Sequence, residues 1–325
     1  MLKRLLNMLR RRGTLMFFIR PMVKIGVYHF RNSRSIRNLV ESADQQISNG
    51  SIITTTSAAK KFKNSIVYVD IGARGGSQEI TKNFNELLHF VVFDADPESN
   101  SKLQNEFKNS KVTVVNNAIS DSDSIRTLFL TESRACSSLL EPKGHSLSLR
   151  GGNTRDLARF KVEDEISIDT QTLSKSIPIE IKSIDILKID IQGLEYEAIS
   201  GLGLFRPFLI CVECSTVELY LGQKSVFDVG AQLEGLGYMP LKFMEIQLVP
   251  KTLAKYQSCI PVHGDVIFVP DNSAKGRAII ERDVEKWFAS LCMHGYMDFA
   301  LWQIEELKIS KPPLVTETEE LLRKS

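Results

Sequence analysis

The sequence predicts an α/β domain built on a doubly wound, mostly parallel sheet. Three observations predict it. Short apolar, β-branched runs alternate with stretches of helical spacing, the pattern of a parallel sheet with helices on its faces. The first run ends in a glycine-rich turn, Ile71-Gly72-Ala73-Arg74-Gly75-Gly76. Carboxylates close later runs, as Asp94, Asp190 and Glu213, and open α/β sheets bind ligands beyond the carboxyl ends of their strands.

Each element follows from local chemistry. Residues 65–70 (SIVYVD) form a continuous β-branched run, read as a buried strand. Ser77 and Glu79 open a helix over 77–88. Residues 89–96 are the second strand, Pro97 opens a helix over 97–108, and 111–119 are the third strand. Residues 124–130 are a short extra strand, and 131–180 read as an irregular insert. Strands follow at 183–193, 208–214, 238–244 and 265–270, with a short glycine-closed helix after the first and a helix at 225–236. From 281 the apolar spacing is helical: Val284, Trp287, Phe288 and Leu291, then Phe299, Ile304 and Leu307. The expected organisation is a basic helical leader and linker (1–60), a domain (61–271) and a helical C-terminal extension (272–325).

Composition is that of a globular protein: 325 residues, 43% hydrophobic and 25% charged. The net charge of +2 hides a split. The first 40 residues carry ten of the 41 cations and none of the 39 anions, which leaves 31 cations against 39 anions for the remainder. A body with that acidic balance is not built to bind a nucleic-acid backbone. Five cysteines at scattered spacings give no disulfide framework and point to a reducing, cytoplasmic setting. Cys211 and Cys214 form a C-x-x-C, but within the apolar run FLICVEC they read as ordinary core residues. No run of 18 apolar residues exists. Leu2, Leu5, Leu6 and Leu9 lie on one helical face among basic residues. Residues 1–22 therefore read either as a peripheral membrane contact drawn to anionic lipid or as a lead-in helix packed on its own domain. The acid-free start also fits an organelle transit peptide.

The turn after the first strand is neither G-x-G-x-x-G nor a phosphate-cradling P-loop. An acid, Asp70, just before the glycines suits a ligand with a cationic amino group, as in S-adenosylmethionine. Asp94 lies 22 residues after Gly72, the spacing at which a carboxylate meets a ribose; Asp96 is placed to cap the next helix. Asn117 lies at the end of the third strand, where an amide can meet an adenine edge or simply make a turn. Lys188 and Asp190 share a period-2 face inside an apolar strand. Charges are costly there unless paired or functional.

In this order VDIGARGGS, FDADPES, NNAISD, LKIDIQGLEYEAISG and GDVIFV resemble the motifs of the FkbM family of methyltransferases, over roughly residues 65–270. The resemblance implies the class I methyltransferase fold, a Rossmann-like doubly wound sheet of seven strands with the last antiparallel. It implies S-adenosylmethionine as cofactor and oxygen methylation of a sugar, glycan or natural product. Carried over, Asp70, Gly72, Gly76, Asp94 and Asn117 are the cofactor residues, and Lys188, Asp190, Gly193 and Glu195 match the fourth motif. The chain departs from the family pattern at Arg74 for Asn, Ala95 for Pro, Gln192 for Glu and Ser174 for Asp. The last two each remove a carboxylate expected near the active site.

Methyl transfer to an alcohol needs alignment and removal of the hydroxyl proton. Asp190, His145 or His263 can serve as base, with Lys188 and Glu195 completing the catalytic set. Alternatively Asp190 and Glu213, ending neighbouring strands, can hold a divalent metal such as Mg2+ that acidifies the hydroxyl. The insert 131–180 is expected to cover the acceptor. The tail aromatics Trp287, Phe288, Phe299 and Trp302 are expected to pack on the domain or on a second copy in a homodimer. Two other classes fit parts of the pattern. One is a nucleotide-dependent oxidoreductase, disfavoured by the missing G-x-G-x-x-G and by Asp70. The other is a non-catalytic interaction module on the same fold.

Overall fold

The computed structural model describes residue 59 and residues 61–74, 84–96, 98–107, 111–147, 157–247 and 261–324, all within the compact unit Thr54–Ser325. The basic leader, Gly76 and Pro97 lie outside the described residues, as does most of the helix expected over 77–88. Its described end, residues 84–87, is a turn that leads straight into the second strand.

The strands in chain order are β1 (Ile66–Ile71), β2 (Leu88–Phe93), β3 (Lys111–Val115), β4 (Ala118–Ser120), β5 (Ser124–Thr131), β6 (Val162–Thr172), β7 (Ile186–Ile189), β8 (Leu209–Ser215), β9 (Tyr238–Gln247) and β10 (Pro261–Pro270). Among the described residues they form two sheets. The larger has seven strands in the order β3-β2-β1-β7-β8-β10-β9. β1, β2, β3, β7 and β8 pair in parallel, and β10 runs antiparallel to β8 and β9. The predicted class is therefore the one found: a seven-stranded doubly wound sheet whose last strand is reversed. The order jumps from β2 and β3 on one side of β1 to β7 and β8 on the other, which opens a crevice above the carboxyl ends of β1 and β7.

Every residue of β2 is buried, and so are Val69, Leu187, Ile210 and Phe268 of the neighbouring strands. That burial on both faces explains their continuous apolar runs. The C-terminal extension shares this core. Trp287 and Phe288 on α-helix Val284–Met293 are fully buried in it, together with Ile304 and Val315. Trp302 stays largely exposed and stacks at an angle on Phe299.

The insert departs from expectation. Residues 111–119 are two strands in different sheets, and 131–180 contains the 11-residue strand β6. β6 pairs in parallel with β4 and antiparallel with β5. Its sequence, VEDEISIDTQT, is buried only at Thr170, and Ile166 and Ile168 pack half-buried against Leu128, Leu130 and Leu194. A strand solvated along most of its length carries too few apolar residues to show in a hydrophobic pattern.

Candidate functional site

A cavity of about 340 Å³ opens above the switch point, a size typical of small-molecule sites. Its lining includes Gly72, Arg74, Asp94 and Asp96 from the turns after β1 and β2, and Asn117 from the turn after β3. It also includes Asp190 and Gln192 after β7, Glu213 on β8 and His263 on β10. Six strands thus deliver their carboxyl-terminal or reversed-end residues to one space.

At one end, Gly72 has φ +84°, and its N–H and that of Ala73 donate to the Phe93 carbonyl at 2.9 and 3.0 Å. Side chains rarely adopt that φ, and a Cβ at 72 would overlap the Asp190 carbonyl oxygen, so only glycine brings the turn this close. Arg74 reaches across the neighbouring turn. Its guanidinium bonds Asp96 and, at 2.7 Å, the Ser99 hydroxyl, and it lies 3.6 Å from Asp94. Burial raises the pKa of Asp94, although the Asp96 N–H and Arg74 oppose this. For Asp96 the balance reverses: burial raises its pKa, but the Arg74 contact outweighs it. Asp96 accepts from the Glu98 N–H just before α1 (Ser99–Glu106) rather than capping inside that helix. Asn117 donates to Gln171 at 2.9 Å.

At the other end lies a chain of charges. Asp70 and Lys188 are in register on adjacent parallel strands, so their side chains meet. The Lys188 ammonium sits 3.4 Å from Asp70 and 3.3 Å from Asp190. Burial lifts Asp70 to about 6 despite Lys188. Burial alone would lower the lysine's pKa, but the two carboxylates raise it above the ordinary value. Asp190 also loses by burial, yet Lys188 and the surrounding hydrogen bonds hold it below the usual carboxylate range. Glu213 is raised, chiefly by burial, and accepts from or donates to His263 Nδ1 at 3.0 Å. Gln192 links the two acids. Its amide N–H groups donate to Asp190 at 2.9 Å and to Glu213, while its carbonyl accepts from the Tyr220 hydroxyl at 2.9 Å. Gln192 is a non-glycine residue at φ +57°, a strained backbone that Ser138 anchors by donating to its carbonyl at 2.7 Å.

Several sequence expectations need correction. Asp70 does not face the cavity; the cation it meets is Lys188, beneath the floor. Lys188 likewise contacts Asp190 from below and does not line the cavity. Glu195 is buried, and its carboxylate accepts the N–H groups of Ile191 and Gly193 at 3.0–3.2 Å, bracing the turn that presents Gln192. It does not line the main cavity. Ser174 is exposed beside Gly201 and Gly203 and takes no part in the site. His145 lies in the short helix Gly144–Leu147, and its side chain lies outside the described part of the structure. The metal reading does not fit: the amide of Gln192 already bridges Asp190 and Glu213. No group of three ligating side chains occurs among the described residues. Cys211 and Cys214 are buried core thiols, as expected. No described helix is long and apolar enough to cross a membrane.

Sequence reasoning missed Tyr220, Ser138, Arg134 and Arg159. The last three do line the cavity, and nothing in their spacing marks them.

The family model described as methyltransferase FkbM domain matches residues 70–240, just over half of the chain. No curated protein sequence matches. Solved structures similar to this chain include a magnesium protoporphyrin IX methyltransferase from Synechocystis with bound S-adenosylmethionine. It is 9% identical with a TM-score of 0.35, over 76% of this chain and 91% of that one. The N-methyltransferase NodS from Bradyrhizobium japonicum is 8% identical, TM-score 0.34, over 70% and 96%. A precorrin methyltransferase from Geobacter metallireducens is 12% identical, TM-score 0.34, over 66% and 85%.

Proposed function

The chain belongs to the FkbM methyltransferase family, and from that premise we propose that it moves a methyl group from S-adenosylmethionine to a hydroxyl of a sugar, glycan or natural product. One observation carries this reading. The glycine turn, Asp94 and Asn117 share a single cavity with Asp190, Glu213 and His263, so a nucleoside group and an acceptor hydroxyl can meet in it. The residues fit the donor: the turn at Gly72 lines the cavity, Asp94 offers a carboxylate to the ribose, and Asn117 an amide to the base.

The donor supplies an electrophilic methyl on a sulfonium whose thioether leaves as a neutral group. What remains for the chain is to align the acceptor and take one proton. Asp190 is the acid placed to do so. Its side chain is 34% exposed, against 21% for Glu213, 12% for Lys188 and 4% for His263, so it alone presents a substantial face to the cavity. Lys188 keeps it ionised. The acceptor hydroxyl donates to Asp190 and turns a lone pair towards the methyl carbon. Its proton becomes acidic as the new C–O bond forms, so a weak base in contact suffices. Gln192 holds the Asp190 carboxylate in place, and His263 with Glu213 fixes the other side of that amide.

The test is calorimetric titration of the full chain with S-adenosylmethionine and S-adenosylhomocysteine, followed by labelled-methyl transfer to a panel of hydroxyl compounds. Both nucleosides should bind, and Asp94→Ala should weaken them by about 10- to 100-fold, the worth of hydrogen bonds to a charged acceptor. Binding without transfer to any hydroxyl, but with transfer to an amine, would overturn oxygen methylation. Absence of binding would favour a non-catalytic module.

A further inference from the structure

Two guanidinium groups of the cavity have no part in the chemistry above. Arg134 opens the 3-10 turn Arg134–Cys136 after β5, and Arg159 lies in the turn before β6. The Ser133 N–H donates to the Arg159 carbonyl at 3.1 Å, which ties the two turns together at one end of the small sheet. Both residues line the cavity.

Their state differs from that of Arg74, whose guanidinium is satisfied by Asp94, Asp96 and Ser99. The Nη1 of Arg134 is buried and has no hydrogen-bond partner among the described residues. Arg159 is exposed at the rim and makes no ion pair with a described residue. A buried N–H on a cation without an acceptor is costly. Asp96 is near enough for Arg134 to lower its pKa, but it takes its hydrogen bonds from Arg74 and the Glu98 N–H, and the Arg134 Nη1 is left without an acceptor. Asp190 and Glu213 are bound by Lys188, Gln192 and His263. The insert therefore brings two positive charges to the cavity wall, one of them, Arg134, within electrostatic reach of Asp96 and with an N–H that no described acceptor meets.

Resting on the methyltransferase reading above, we propose that Arg134 and Arg159 form an oxyanion subsite for the acceptor, so that the hydroxyl compound methylated here also carries a carboxylate or a phosphate. A planar guanidinium fork matches both groups bidentately. The subsite would anchor the anionic end while Asp190 meets the hydroxyl, which fixes the face and position that are methylated.

The experiment is an NMR titration of the full chain, with and without S-adenosylhomocysteine. It follows the 31P line width of inorganic phosphate and the 13C shift of acetate. The wild type should bind at least one of them saturably, and the stronger of the two names the oxyanion. Arg134→Gln and Arg159→Gln should each weaken that binding about tenfold or more, the worth of one charge-assisted contact. Arg134→Lys should retain part of it, and the affinity for S-adenosylhomocysteine should stay within about twofold. No saturable binding, or binding indifferent to both substitutions, overturns the proposal. So does a loss of S-adenosylhomocysteine affinity in Arg134→Gln, which would assign the guanidinium to the donor's own carboxylate. Should that variant fail to fold, Arg159→Gln, at an exposed position, carries the test. Failure of the wild type to bind S-adenosylhomocysteine strikes the donor reading, a separate result from failure to bind the oxyanion.

Discussion

The two ends of the cavity are assembled in different ways. At the end proposed for the donor, Gly72, Arg74, Asp94 and Asp96 come from two neighbouring turns within 25 residues, on paired parallel strands. They are held mainly by backbone hydrogen bonds and one arginine. At the acceptor end, Asp190, Gln192, Glu213 and His263 come from three strands, and Tyr220, Ser138 and Lys188 hold them from loops and from below. The donor end is a local structure; the acceptor end is a tertiary one. The hydrogen bonds that shape the donor turns run mostly within and between those turns, with one tie to the acceptor end, from the Asp190 N–H to the Ile71 carbonyl. A family can therefore keep one donor and change what it methylates.

If that division holds, substitutions should separate binding from chemistry. Asp190→Asn should have the largest effect. The methyl-transfer rate should fall by about 10²- to 10⁴-fold, the usual contribution of a positioned base, with S-adenosylhomocysteine affinity unchanged by calorimetry. A parallel fall in that affinity would mean that the two ends are one unit.

A smaller effect is expected from Gln192→Glu, which sets a third carboxylate between Asp190 and Glu213. The added negative charge raises the pKa of both neighbours. The ascending limb of the pH–rate profile should move to higher pH, and the rate at pH 7 should drop by about tenfold. A profile that stays in place would show that Gln192 acts only as a spacer.

Smallest of all is the effect at Glu195, which braces the turn without touching the cavity. Burial raises its pKa to about 8, despite the N–H groups it accepts. A carboxyl with a raised folded pKa stabilises the fold fully below its ordinary value of 4.5, and that contribution is lost as pH rises towards about 8. Melting temperature should therefore decline over that interval, and Glu195→Gln should flatten the decline. An unchanged slope would remove Glu195 as its source.

The same contrast governs what could be read from the sequence. Gly72 and Asp94 are legible because strand, turn and acid follow one another along the chain. Asp190 and Glu213 are legible as strand ends, but not their partners. Nothing local shows that the Gln192 amide bridges both acids, or that Asp70 is spent on Lys188, since both depend on which strands become neighbours. Strand β6 escaped because its residues alternate between charge and a few small apolar contacts. Arg134 and Arg159 escaped because arginine in an insert has no pattern of its own. Ser174 misled for the opposite reason: a motif position suggested a site that its exposed surroundings do not supply.

The close approach of Gly72 to the Asp190 carbonyl has a practical meaning for anyone retargeting this protein. The two ends meet there, where the Asp190 N–H also donates to the Ile71 carbonyl at 2.9 Å. A library that randomises the acceptor side has to spare Asp190 and Gln192, and any shift in the main chain of 190–192 is transmitted to the turn after β1 at once. Position 72 behaves as a gauge of backbone drift. Variants that lose donor affinity without any change in the turn after β1 should be suspected of having moved the strand beside it.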